Sequence, residues 1–202
     1  MTYPVALLLQ GRRVLVVGGG RVAAQKVAGL LAGGADDVTV VAPEVDPSIA
    51  GPGVTVERRA YRRGEAGDGY RLVLAATDDR TVNQQVFDDA EAAGVWCNSA
   101  DDPERCSFHV NAVVRRGPVT VSIGTQGTTP ALATWLRRRF EAELGEEYVT
   151  LAQLLAEHRD ALRSEGTPTE GLPWQEVLDG GLLDLIRAGR TDEARERLSR
   201  CR

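Results

Sequence analysis

Residues 14–26, VLVVGGGRVAAQK, decide how this chain is read. Val14-Leu15-Val16-Val17 is a short apolar run of strand-favouring residues. It stops at Gly18-Gly19-Gly20, and the chain continues at once as the helical stretch Val22–Lys26. The spacing Gly18-x-Gly20-x-x-Ala23 is the pattern by which a strand–turn–helix unit holds a dinucleotide pyrophosphate. Gly18 allows the tight turn, Gly20 lets the backbone approach the phosphates, and Ala23 lets the helix pack close to the strand. The start of the helix adds unpaired N–H groups and a partial positive charge.

Outward from this unit the alternation repeats. Strands are expected at 14–17, 38–41, 54–57, 72–76 and 95–97, with helices at 22–31 and about 79–92. Strands alternating with helices predict an α/β fold with a Rossmann-type, doubly wound parallel sheet. Thr77 or Asp78 is expected to cap the second helix. After Asp101 the pattern changes. Apolar runs at 108–114 and 119–123 flank Arg115-Arg116-Gly117-Pro118 and read as a hairpin. Pro130 suits the first turn of a helix running to about 162, with a break near Gly145. Residues 164–173 read as a linker, and 174–200 as two short helices split at Gly180-Gly181 and at Gly189. The expected organisation is a nucleotide domain at 1–107, a small α+β segment at 108–145 and a helical C-terminal tail at 146–202.

At 202 residues, 43% hydrophobic and 26% charged, the chain can bury a real core. No apolar run approaches the roughly 18 residues of a membrane span, and no signal pattern opens the chain, so no membrane partner is expected. Cys97, Cys106 and Cys201 are odd in number and far apart, which predicts reduced thiols in a cytoplasmic setting and no structural metal site. The net charge of −5 speaks against nucleic-acid binding. Of 24 basic residues 23 are arginine, and the single lysine is Lys26. Arginine's planar fork suits the gripping of carboxylates.

A ribose-binding acid ordinarily ends the second strand, about 20 residues beyond the glycines. Ala42-Pro43 stands there instead, with Glu44 and Asp46 just past it, and no arginine between Thr39 and Gly53 would welcome a 2′-phosphate. NAD rather than NADP is the expected cofactor. The candidate contacts are Gly18, Gly19, Gly20, Arg21, Val22, Ala42, Pro43, Thr77, Asp78 and Asn83.

Further signatures follow in order: VTVVAPE at 38–44, LVLAATDDRTVN at 72–83, WCNSADDPERCSF at 96–108 and TQGTTPALA at 125–133. Together with the glycine stretch they resemble the precorrin-2 dehydrogenase/sirohydrochlorin ferrochelatase family, the N-terminal module of siroheme synthase, over about residues 3–145. The resemblance implies NAD-dependent oxidation of precorrin-2 to sirohydrochlorin. It also implies, in some members, insertion of ferrous iron as a substrate to give siroheme. A homodimer is implied as well, with 108–145 as the dimerisation segment. The family's catalytic aspartate matches Asp101, with Asp102 beside it as the alternative. Thr125 stands where some members carry a serine, and Asn111 where many carry proline. The chain's length implies that it lacks the methyltransferase domain fused to this module in some organisms.

The chemistry fits a carboxylate in that loop. Removing two hydrogens as hydride plus proton needs a hydride acceptor and a base, and a positioned carboxylate serves as the base. The substrate carries eight carboxylates, so Arg105, Arg115, Arg116 and Thr125 are the candidate substrate contacts, with Arg137-Arg138-Arg139 nearby in sequence. His109 and Cys106 adjoin the loop but read more simply as a hydrogen-bonded strand histidine and a small buried thiol. His158 reads as a surface residue, and Trp135 and Trp174 as core or dimer contacts. The alternative from another class is a non-catalytic NAD-sensing regulatory module, which would need the glycine loop but not Asp101.

Overall fold

Five short parallel strands carry the N-terminal part of the chain: β1 (Val14–Val17), β2 (Val38–Val41), β3 (Val54–Glu57), β4 (Leu72–Ala75) and β5 (Trp96–Ser99). Their order in the sheet is β3-β2-β1-β4-β5. The computed structural model describes residues 2–100 and 102–201; Asp101 lies outside the described residues. The chain divides into two compact units, Met1–Val110 and Asn111–Arg202.

The sheet is covered on both faces because its side chains alternate. Val14, Val16, Val38, Val40, Leu72 and Leu74 pack against Ala23, Val27 and Leu30 of α1 (Arg21–Ala32). Leu15, Val17, Val41, Val73, Ala75 and Cys97 meet Val86 and Ala90 of α2 (Arg80–Ala93) on the other face. Strands buried on both faces account for the unbroken apolar runs in the sequence. Each Val or Leu so buried contributes about 1.5–3 kcal/mol.

In the second unit, β6 (Ala112–Arg116) and β7 (Val119–Ile123) form an antiparallel hairpin against α3 (Pro130–Glu143). α4 (Glu147–Ser164) then packs with α6 (Leu183–Arg187) and α7 (Thr191–Ser199) around Leu154, Leu182, Ile186, Ala194 and Leu198. The short α5 (Trp174–Val177) adds Trp174 and Val177 to that core. No helix among the described residues is long and apolar enough to cross a membrane.

Several expectations are corrected by local chemistry. The cap of α2 is Asp79, whose carboxylate accepts from Thr81 N and Val82 N at 2.8 and 3.3 Å, rather than Thr77 or Asp78. The first hairpin strand begins at Ala112, not 108, because residues 106–108 are pinned to Cys97 and Asn98. Arg115 and Arg116 belong to β6, leaving Gly117-Pro118 as the turn. The tail after the linker holds three helical pieces instead of two, the first two meeting at a kink where Gly181 takes φ +86°. Residues 111–145 and 146–202 share the second unit.

Candidate nucleotide-binding site

β1, β2 and β4 open their carboxyl ends onto one cleft of about 1060 Å³. It lies where the strand order reverses around β1, the position at which open α/β sheets bind ligands. Its lining brings together Gly18, Gly19, Gly20, Arg21, Val22, Ala42, Pro43, Thr77 and Asp78, nine of the ten expected cofactor contacts. Glu44, Val45, Asp46, Ala60, Tyr61, Ala76, Asp79, Val82 and Ala100 complete much of the wall.

The three glycines do different work. Gly18 takes φ +123°, and a Cβ there would overlap the Ala76 carbonyl. A Cβ on Gly19 would run into the Glu44 carbonyl and Ala42. These two glycines let the turn close against its neighbours, and Gly19 O accepts from Asp46 N at 2.7 Å to hold the 44–46 loop there. A Cβ on Gly20 would meet nothing within 4 Å. The backbone at Gly20 therefore borders open space, and no side chain caps the start of α1 behind it. Uncapped N–H groups facing a cradle free of side-chain atoms fit a pyrophosphate.

Asn83 does not line the cleft. It is 7% exposed, accepts from Thr77 N at 3.2 Å and donates to Thr77 O at 2.9 Å. Its amide thus holds Thr77 at the β4 exit.

The residues after β3 were missed by the sequence reading, although all parallel strands of a sheet end on the same edge. Tyr61 stands in the cleft wall, with its hydroxyl donating to Asp89 Oδ2 at 2.9 Å and accepting from Ala66 N at 3.0 Å. Gly64 N donates to the same Asp89 oxygen at 2.6 Å. Burial raises the Tyr61 hydroxyl well above the usual phenol range, so it stays protonated. Beside it, Arg59 is paired with both Glu57 and Glu65. The Arg59 guanidinium holds the buried Glu65 carboxyl below its usual range. With two carboxylates on it, Arg59 is already neutralised.

At the far side, β5 leads into a loop closed at its base. Asn98 and Cys106 form an antiparallel bridge, and Ser107 N donates to Cys97 O at 2.8 Å. Ala100 N donates to Ala75 O at 2.8 Å, fixing Ala100 in the cleft wall. Asp102 is ion-paired with Arg105, whose Nε also donates to Gln84 of α2. Burial pushes the Cys97 thiol up to about 12, and it also raises that of Cys106, against the pull of the Lys26 ammonium.

The remaining expected substrate contacts belong to the second unit. Arg115 is exposed on β6, and Arg116 donates to Arg115 O and Glu141 O at 2.9 and 3.0 Å. Thr125 opens a turn in which its carbonyl accepts from Thr128 N and Oγ1 at 3.0 and 2.7 Å. His158, expected at the surface, is half-buried, bonded to Cys201 O at 3.0 Å and edge-on to Trp174.

The sheet order, the glycine turn and the uncapped helix define a Rossmann-type dinucleotide-binding protein. The chain belongs to the NAD(P)-binding family NAD_binding_7, whose model matches residues 5–112. It is 38% identical over 197 residues to the siroheme synthase of Nitrosococcus oceani, covering 95% of this chain and 42% of that protein. To the siroheme synthase of Pseudomonas entomophila it is 40% identical over 202 residues, covering 96% and 43%. The chain thus spans about two-fifths of the length of these curated relatives. Among solved structures it is similar to SirC, precorrin-2 dehydrogenase, with a TM-score of 0.75 and 27% identity, covering 98% of this chain and 100% of that one.

Proposed function

We propose that this chain oxidises precorrin-2 to sirohydrochlorin with NAD, and that Asp101 is the base. The observation that carries the reading is the junction of cleft and loop: Ala100 lines the nucleotide cleft, and Asp101 is the next residue. Similarity to SirC along its whole length and to siroheme synthases supports the substrate class.

NAD supplies the hydride acceptor when bound. Gly18, Gly19 and the start of α1 hold its diphosphate, with Gly20 leaving the approach clear. Tyr61 and Ala42 wall the adenosine end. The carboxylate of Asp101 takes the proton that leaves as the hydride departs, a role worth roughly 10²–10⁴-fold. The pairing of Asp102 with Arg105 supports Asp101 over its neighbour in this role. Arg115 and Arg116, with Thr125, receive substrate carboxylates, each charge-assisted hydrogen bond contributing about 1.5–3 kcal/mol. Ferrous iron enters as a second substrate, with the same aspartate accepting the two displaced pyrrole protons one at a time and passing each to water. The reaction runs in the cytoplasm, where Cys97, Cys106 and Cys201 remain free thiols.

A homodimer completes the reading. Leu132, Trp135 and Phe140 are 45, 52 and 38% exposed along α3, an apolar set that a second copy would cover.

Asp101→Asn tests the assignment. It keeps the shape of the side chain but removes the base, so dehydrogenation falls by about 10²-fold or more while NAD affinity stays unchanged. Full turnover in that variant removes Asp101 from the mechanism.

A further inference from the structure

Lys26 departs from the composition of its own chain, since every other basic side chain is arginine. It stands half-buried on α1, the helix that starts at the cleft, and its Nζ donates to Asn98 Oδ1 at 3.3 Å. Asn98 is 6% exposed and passes the contact on. Its Nδ2 donates to Phe108 O at 3.0 Å and lies 3.3 Å from Cys106 Sγ. That sulfur sits inside the loop, 3.1 Å from Asp102 O and 3.3 Å from Ser99 O. A continuous set of contacts therefore runs from α1 to Ser99 and Asp102, which flank the pair Ala100-Asp101.

We propose that Lys26 is a positioning residue: seated on Asn98, it fixes Ser99-Ala100 and Asp102–Cys106, the described parts of the loop in whose sequence Asp101 falls. This rests on Asp101 being the base. An ammonium suits the seat because it is compact and carries three donors on a flexible stem. A guanidinium would bring a rigid plane into the same half-buried position. The same contacts make the loop answer to α1, so the helix that receives the diphosphate also holds the loop that carries the base.

Lys26→Met and Lys26→Arg, compared with the unaltered protein, test this. The readouts are NAD affinity, hydrogen exchange across residues 97–108 by mass spectrometry, and turnover of precorrin-2. In Lys26→Met, NAD affinity is expected to hold. Exchange at the Ala100 and Ser107 amides, both hydrogen-bonded here, rises by about tenfold or more as the loop loosens. With it kcat falls by about 10²-fold, the cost of a misplacement on the order of 1 Å. Lys26→Arg falls between the two. Unaltered exchange and kcat in Lys26→Met overturn the proposal. So does a rise in exchange throughout α1 with loss of NAD binding, which would make Lys26 a residue of helix stability alone. If the unaltered protein does not oxidise precorrin-2, the functional reading fails, and the exchange comparison still decides whether Lys26 holds the loop.

Discussion

Gly18, Gly19 and Gly20 are chemically identical, yet they are open to opposite tests. Gly19→Ala forces a methyl against the Glu44 carbonyl, and overpacking of this kind costs roughly 1–3 kcal/mol. Gly20→Ala meets no protein atom, and its φ of −84° is one any residue adopts, so the fold should be indifferent to it. The methyl instead occupies the approach to the diphosphate, and NAD affinity drops by about tenfold, ~1.4 kcal/mol. Thermal unfolding and NAD titration of the two variants should therefore diverge, Gly19→Ala losing stability and Gly20→Ala losing cofactor. Equal NAD affinity in Gly20→Ala and the unaltered protein would mean the diphosphate does not lie there. The sequence spacing pointed to this turn and to the roles of Gly18 and Gly20, but the need for glycine at 19 depends on Glu44 and Ala42, which only the fold brings to it.

Among the elements, the loop after β3 shows what was not legible. All five strands stood out as apolar runs, and their ends differ from expectation by two residues at most. The use of RRAYRR at 58–63 did not stand out, because nothing in those letters says that Tyr61 turns to Asp89 of α2 or that Arg59 is held by two carboxylates. Nor did the letters show that the Asn83 amide is used on Thr77. The Arg59–Glu65 pair makes stability depend on pH in a defined direction. Glu65 is held ionised below its ordinary range, so its contribution is complete above about pH 4.3, the unfolded value, and is lost as pH falls through the lower folded value. Glu65→Gln should cost about 1–3 kcal/mol at neutral pH by urea unfolding and flatten this part of the acid limb. A loss that is the same at pH 3 and pH 7 would contradict that account.

The molecule as a whole holds a nucleotide unit, explained by its strand order, and a second unit whose α3 leaves large apolar side chains in solvent. On α3, Trp135 and Phe140 flank Leu132 at about 60° and 80° to either side, so the three share a broad stripe roughly 140° wide. Light scattering at micromolar concentration should give twice the chain mass, and Trp135→Asp should halve it. A monomer in the unaltered protein would contradict the dimer. The measurement that tests the central claim most directly is anaerobic incubation of enzymatically generated precorrin-2 with NAD and the protein, followed by absorbance. NADH and sirohydrochlorin should appear together in equal amounts, at a rate proportional to the protein added. Tight NAD binding without formation of either product would contradict the enzyme reading and turn this chain into an NAD sensor.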